Sequence, residues 1–221
     1  GGEEAERWDS PNGAAFLAWY SGALVQHGRD ILKNARDIFG PDMGIAAKVS
    51  GIHWYRGHPS RAAETQAGYA GDYLNTICAM LAETHATLDF TCFEMRDAEQ
   101  SAFAYSRPQE LVQSAALAST RAGLHFAGEN ALGTCWEFEG NVATIEEQSE
   151  LAIVGGADMV GLTALRLEPD LIIPGCAMRK SLERFIANMK DLANRHGTRS
   201  VWEKFVIWAM RVWDAYKSRN Y

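Results

Sequence analysis

The chain has 221 residues, 47% hydrophobic and 22% charged, with a formal net charge of −7. That describes one ordinary globular domain with enough apolar material for a core. The negative balance argues against nucleic acid and against an anionic membrane surface, both of which are gripped by Lys/Arg patches. No run of about 18 apolar residues marks a transmembrane helix.

Taken in chain order, Ser10-Pro11 forms an N-cap and first-turn pair. Phe16, Tyr20, Leu24, Ile31, Ala35 and Ile38 then keep one helical face to about Phe39. A first strand is predicted over Gly44–Ile52, followed by a loop, His53–Ser60, and by a helix carrying Leu74, Ile77, Cys78 and Leu81. A second strand is predicted over Leu88–Met95, and Pro108 opens a helix with Leu111, Val112, Ala115 and Ala116. Leu124–Gly128 reads as a third strand, then a helix around Val142–Val154 stops at Gly155-Gly156. Asp158–Leu165 reads as a fourth strand, and two helices follow, Met178–Ala193 and Val201–Tyr216. Strands alternating with helices predict a parallel α/β sheet with right-handed crossovers, which a doubly wound sheet or part of a (β/α)8 barrel would satisfy.

Polar residues gather at the predicted strand ends: Lys48, Ser50 and His53, then Thr91 and Glu94, then Glu129 and Asn130, then Arg166. The C-terminal edge of a parallel sheet is where ligands bind. One such cluster would be read as a loop or helix cap; four in succession favour a site. Glu129 is the sharpest candidate, a carboxylate directly after a short apolar strand and placed to act as a general base on a water. Lys48 and Arg166 are suited to orienting hydroxyls or carboxylates. His53 beside Trp54 and Tyr55 reads either as an aromatic platform for a sugar ring or as core packing. There is no Gly-rich phosphate loop, no GxSxG elbow and no HExxH. The histidines are scattered, so neither a metal nor another cofactor is expected. Cys78, Cys92, Cys135 and Cys176 form no CxxC pair and read as free thiols in a reducing compartment. The chain opens Gly1-Gly2 with no visible signal peptide, which is read as a removed leader or an upstream part lying outside this sequence.

These residues also carry a family likeness. Lys48-Val49-Ser50-Gly51-Ile52-His53-Trp54-Tyr55 resembles the β-amylase segment K-(I/V/L)-S-G-I-H-W-W-Y. Ser60-Arg61-Ala62-Ala63-Glu64 with Ala67-Gly68-Tyr69 resembles S-H-A-A-E-L-T-A-G-F-Y. Phe90 to Met95 resembles F-T-C-(L/V)-E-(M/L), Gly128 to Leu132 resembles (S/G)-E-N-A-L, and Leu165-Arg166-Leu167 resembles L-R-L. Phe16 to Ser21 with His27-Gly28 is similar to F-F-L-x-W-Y-S and H-G. The order and spacing of these motifs match from about residue 13 to residue 190.

The resemblance implies strands five to eight of a (β/α)8 barrel that releases β-maltose from the non-reducing ends of α-1,4-glucans with inversion. It implies Glu129 as general base and Thr91 as the inner-loop threonine that steadies the charged base. Lys48, His53, Asn130, Ala131 and Arg166 match the sugar-contacting positions. The general-acid motif, similar to G-E-L-R-Y-P-S-Y, has no counterpart in these residues, so the chain is expected to be inactive unless a companion supplies that half. Tyr55 at a tryptophan, Arg61 at a histidine and Gly133-Thr134 after Leu132 are smaller departures.

Residues 1–196 are thus expected to form a half-barrel whose bare edges need a protein partner. Residues 197–221 are expected to add a Trp-rich amphipathic helix that packs back on the barrel or docks a partner, a membrane-surface role being a third reading. Two functions compete: a split or truncated β-amylase acting on starch-like glucan, and a catalytically dead scaffold subunit of a larger complex. A glucan-binding module without chemistry ranks behind both. An intracellular reducing compartment or an organelle, plastid or mitochondrion, is the expected location.

Overall fold

The computed structural model describes residues 7–58, 73–130, 139–164 and 173–196. The expected helix Val201–Tyr216 and the segment from Ser60 to Tyr69 lie outside these residues. The long first helix, α1, spans Pro11–Phe39. The Ser10 hydroxyl accepts from the Gly13 amide at 3.1 Å, and Pro11 occupies the first turn. At its other end Arg36 donates to the carbonyls of Gly40 and Met43, and to that of Thr84. The cation thereby ties the chain just after this helix to the carbonyl of Thr84.

Four strands follow, each leading to a helix: β1 (Ala46–Val49), α2 (Tyr73–Ala82), β2 (Thr87–Phe90), α3 (Pro108–Arg121), β3 (His125–Asn130), α4 (Glu139–Val154), β4 (Asp158–Ala164) and α5 (Ala177–His196). The strands form one parallel sheet in the order β1-β2-β3-β4, as the alternation of elements predicts. Among the described residues, β1 and β4 each pair with one neighbour only. No helix among them is long and apolar enough to cross a membrane.

Register divides the sheet into two chemically different faces. In a parallel ladder, aligned residues point the same way and alternate residues point oppositely. Val49, Phe90, Gly128 and Leu162 are aligned, as are Leu88, Phe126 and Met159. This set is buried against the helices, with Leu88, Phe90, Phe126 and Met159 completely inaccessible, and forms the core with Leu81, Leu111, Ile145 and Phe185. The opposite set aligns Lys48 with Asp89 and Ala127, and Glu129 with Thr163. Packing occupies one face and ionisable side chains stand on the other.

Between Phe126 and Ala127 the register shifts: Phe126 aligns with Met159 but Ala127 with Gly161, so β4 carries one extra residue, Val160. Several strand boundaries differ from expectation. The second strand stops at Phe90 instead of running to Met95, because Cys92 adopts a left-handed backbone (φ 71°) that no extended strand can include. The first stops at Val49 because Val49 is the partner of Phe90, and the ladder ends on both strands together. The third runs two residues further than expected, taking in Glu129 and Asn130.

Candidate active site

The site grows from the ionisable face at the C-terminal edge of the sheet. Glu129, the fifth residue of β3, is 2% exposed, and the Lys48 ammonium of β1 pairs with its Oε2. Such a counter-charge offsets the cost of burying a carboxylate. Lys48 is itself 45% exposed, so the pair reaches from the interior to solvent. Asp89 of β2 and Glu94 just after it are buried carboxylates of the same region.

Thr91 is buried directly after β2. Its methyl group lies against Gly51: a Cβ at Gly51 would sit 3.0 Å from Thr91 Cγ2. The next residue, Cys92, ties the cluster together. Its Sγ is 4.0 Å from the Gly51 carbonyl, and its thiol feels a Thr91 hydrogen bond and the charges of Glu94, Lys48 and Glu129. Burial first, then Glu94, push that thiol up to about 12. Burial likewise pushes Cys78 up to about 11. Both are free, as is the half-buried Cys176; Cys135 lies outside the described residues. A thiol that stays protonated is a poor nucleophile. Peptide mapping after brief iodoacetamide treatment at neutral pH is therefore expected to find Cys176 alkylated well ahead of Cys78 and Cys92. Equal labelling would contradict the burial of Cys92.

Gly128 holds Glu129 in place from the packing face. A Cβ there would lie 2.8 Å from Leu162 Cδ1 and 3.0 Å from the Phe93 ring. Gly128→Ala is expected to cost about 1–3 kcal/mol through overpacking. Leu162→Ala in the same chain should recover part of that loss, as a double-mutant cycle in urea would report.

His53 belongs to a neighbouring group on the loop after β1. Its Nδ1 is 2.6 Å from the buried Ser106 hydroxyl, and its ring meets Trp54 edge-on at 4.9 Å. Burial holds the imidazole below its ordinary range, and the charge of Asp97 partly opposes that. Tyr55 is exposed and sits within 6.1 Å of Tyr105, which excludes core packing for that ring. Asp97 accepts from the Gln109 amide and its own amide donates to the Gln109 side chain, both at 2.9 Å, closing the first turn of α3.

Of the residues singled out by sequence, Lys48, Thr91 and Glu129 are brought into one cluster, and His53 lies on the loop after β1 against Ser106. Asn130 ends β3. Ala131 and Arg166 lie outside the described residues. Asp89, Asp97 and Ser106 were not anticipated. Asp89 sits inside an apolar strand and gains meaning only through its alignment with Lys48. Ser106 and Asp97 act through contacts that no local spacing announces.

The family model described as glycosyl hydrolase family 14 matches residues 3–195. Beta-amylase 2, chloroplastic, of Oryza sativa subsp. japonica is 40% identical over 202 residues, covering 88% of this chain and 34% of that protein. Beta-amylase Tri a 17 of Triticum aestivum is 50% identical over 126 residues, 55% of this chain and 25% of that protein. The crystal structure of the catalytic domain of beta-amylase from Paenibacillus polymyxa superposes with a TM-score of 0.67 at 26% identity, covering 83% of this chain and 43% of that one. The chain spans about a third of the length of the curated relatives it matches. With the motifs, the parallel sheet and the family match all in agreement, the chain belongs to glycosyl hydrolase family 14.

Proposed function

We propose that this chain is the general-base half of an inverting α-1,4-glucan hydrolase, strands five to eight of a (β/α)8 barrel that releases β-maltose when complete. The observation that carries this is the buried Glu129 carboxylate, paired with Lys48 on the unpacked face of the sheet. Inversion needs two carboxyl groups about 6.5–9.5 Å apart on opposite sides of the scissile bond, one protonating the leaving oxygen and the other activating water. Glu129 takes the second role, with Thr91 steadying it through the turn at Cys92. Lys48, His53, Asn130, Ala131 and Arg166 are assigned to the sugar hydroxyls. The acid belongs to the other half, because no segment of the 221 residues resembles the acid motif. Two relatives are named as chloroplastic, which supports a plastid among the candidate compartments.

One observation favours a second reading, a non-enzymatic subunit of a larger assembly. Phe16, Trp19, Ile31, Ile38 and Phe39 of α1 are all exposed, more apolar surface than one helix ordinarily leaves in water. Native mass spectrometry combined with a starch-hydrolysis assay on the same particle separates the two. A companion polypeptide with the acid motif, together with maltose release, supports the hydrolase. Unrelated neighbours and no maltose support the scaffold. Maltose release by the purified 221-residue chain would contradict the assignment of the acid to another segment.

A further inference from the structure

We infer that Ser106 is a positioning residue: its hydroxyl donates to Nδ1 of His53 and fixes the imidazole as the Nε2–H tautomer, so that His53 meets a sugar oxygen as a hydrogen-bond donor. Only the identity of that oxygen rests on the proposed glucan hydrolase.

The loop after β1 and the loop before α3 are fastened together by backbone hydrogen bonds on both sides of this contact. The Arg107 amide donates to the His53 carbonyl at 2.8 Å, the Tyr55 amide to Ala104 at 2.6 Å, and the Gly57 amide to Tyr105 at 3.0 Å. Tyr105 turns the chain with a left-handed backbone (φ 45°), and Arg107, the residue before Pro108, stays out of the helical region (φ −141°, ψ 67°). Ser106 is thereby held at 2% exposure with Oγ 2.6 Å from His53 Nδ1.

Direction follows from what a buried hydroxyl needs. A serine carries one proton to donate, and leaving a buried donor without an acceptor costs about 1–3 kcal/mol. Among the described residues, Nδ1 is the acceptor within reach of that proton. If Nδ1 instead carried a proton of its own, two hydrogens would compete for one 2.6 Å contact and the hydroxyl proton would be stranded. So Nδ1 accepts, and Nε2 holds the ring's proton. The burial that disfavours the imidazolium keeps the ring in the neutral form in which a tautomer is defined. Asp97 acts on the imidazole through its charge, which only partly offsets the burial, and its Oδ1 accepts from the Gln109 amide.

The test is two-bond ¹H–¹⁵N correlation spectroscopy on the full chain with ¹⁵N-labelled histidine, above the imidazole titration, with His53 assigned by loss of its signals in His53→Asn. The expected wild-type pattern has Nδ1 unprotonated and Nε2 protonated. Ser106→Ala should lower the Nε2–H preference about fivefold, the equilibrium shift carried by one hydrogen bond, and Ser106→Thr should restore it. A wild-type Nδ1–H pattern would overturn the inference, as would a Ser106→Ala variant whose amide spectrum and His53 tautomer both match wild type. If Ser106→Ala does not fold, the wild-type pattern and the Ser106→Thr variant still decide. Maltoheptaose is then added to the chain complemented with the half that carries the acid motif. If it shifts Nε2 of His53, the glucan reading gains support. If the tautomer is as inferred and maltoheptaose leaves His53 unmoved, the positioning role stands and the glucan reading fails.

Discussion

Glu129→Gln is expected to lower maltose release by the completed barrel about 10²- to 10⁴-fold, the usual worth of a positioned general base. The amide has nearly the volume of the carboxylate, so the packing of β3 over Phe93 and Leu162 stays intact, but an amide cannot take the proton of an attacking water. The ion pair with Lys48 is lost as well. That loss should matter little to folding, because Lys48 is 45% exposed and its ammonium can turn to water. Chemistry and stability are therefore predicted to separate: turnover collapses while the urea midpoint barely moves. Lys48→Met should behave differently, since it strands the carboxylate in the interior and destabilises the fold. The measurement is initial-rate maltose release by the complemented sample, with urea melts of each variant in parallel. Unchanged turnover in Glu129→Gln would remove Glu129 from the chemistry.

Phe126→Ala is expected to cost about 3–5 kcal/mol, the range for deleting a large aromatic ring from a core that cannot collapse around the void. Phe126 lies on an interior strand of the sheet, aligned with Leu88 and Met159, completely buried, with its ring 5.8 Å from that of Phe93. An internal control exists in Phe103, 90% exposed on a short turn before α3. Phe103→Ala should change stability by no more than about 0.5 kcal/mol. Similar costs at the two positions, read from urea unfolding, would mean that the apolar face of the sheet is not the core that holds this chain together.

The elements that sequence reveals best are those whose signals are local. Ser10-Pro11 marks the start of α1 to the residue, and the stop at Gly155-Gly156 is real, with Gly156 in a left-handed backbone. Glu129, Lys48 and Thr91 are visible as polar groups at strand ends. The early stop of β2 is hidden because Phe90-Thr91-Cys92-Phe93 has strong strand propensity throughout. It is the tertiary setting, with Thr91 turned toward Gly51, that places Cys92 in the left-handed region. Asp89 is hidden for a related reason: a charged residue inside an apolar strand looks like an error until register sets it beside a lysine. Ser106 lies 53 residues from its histidine, a distance over which no periodicity carries information. Such residues are legible only once the loops are closed.

Among the described residues, the extra residue in β4 makes the two borders of the sheet unequal. Along β1 the ladder is regular for its whole length, so its outer amides and carbonyls present an even row that another extended chain could extend. Along β4, Val160 breaks the two-residue rhythm, and Met159 and Leu162, three apart, share a face that strict alternation would have denied them. A bulged border bends away from flat pairing and makes a poor template for a further strand. Self-association of this chain at high concentration should therefore have a direction, starting at the β1 border and stalling at β4. A Val160 deletion, by straightening that border, would be the change most apt to turn a one-ended seed into a two-ended one.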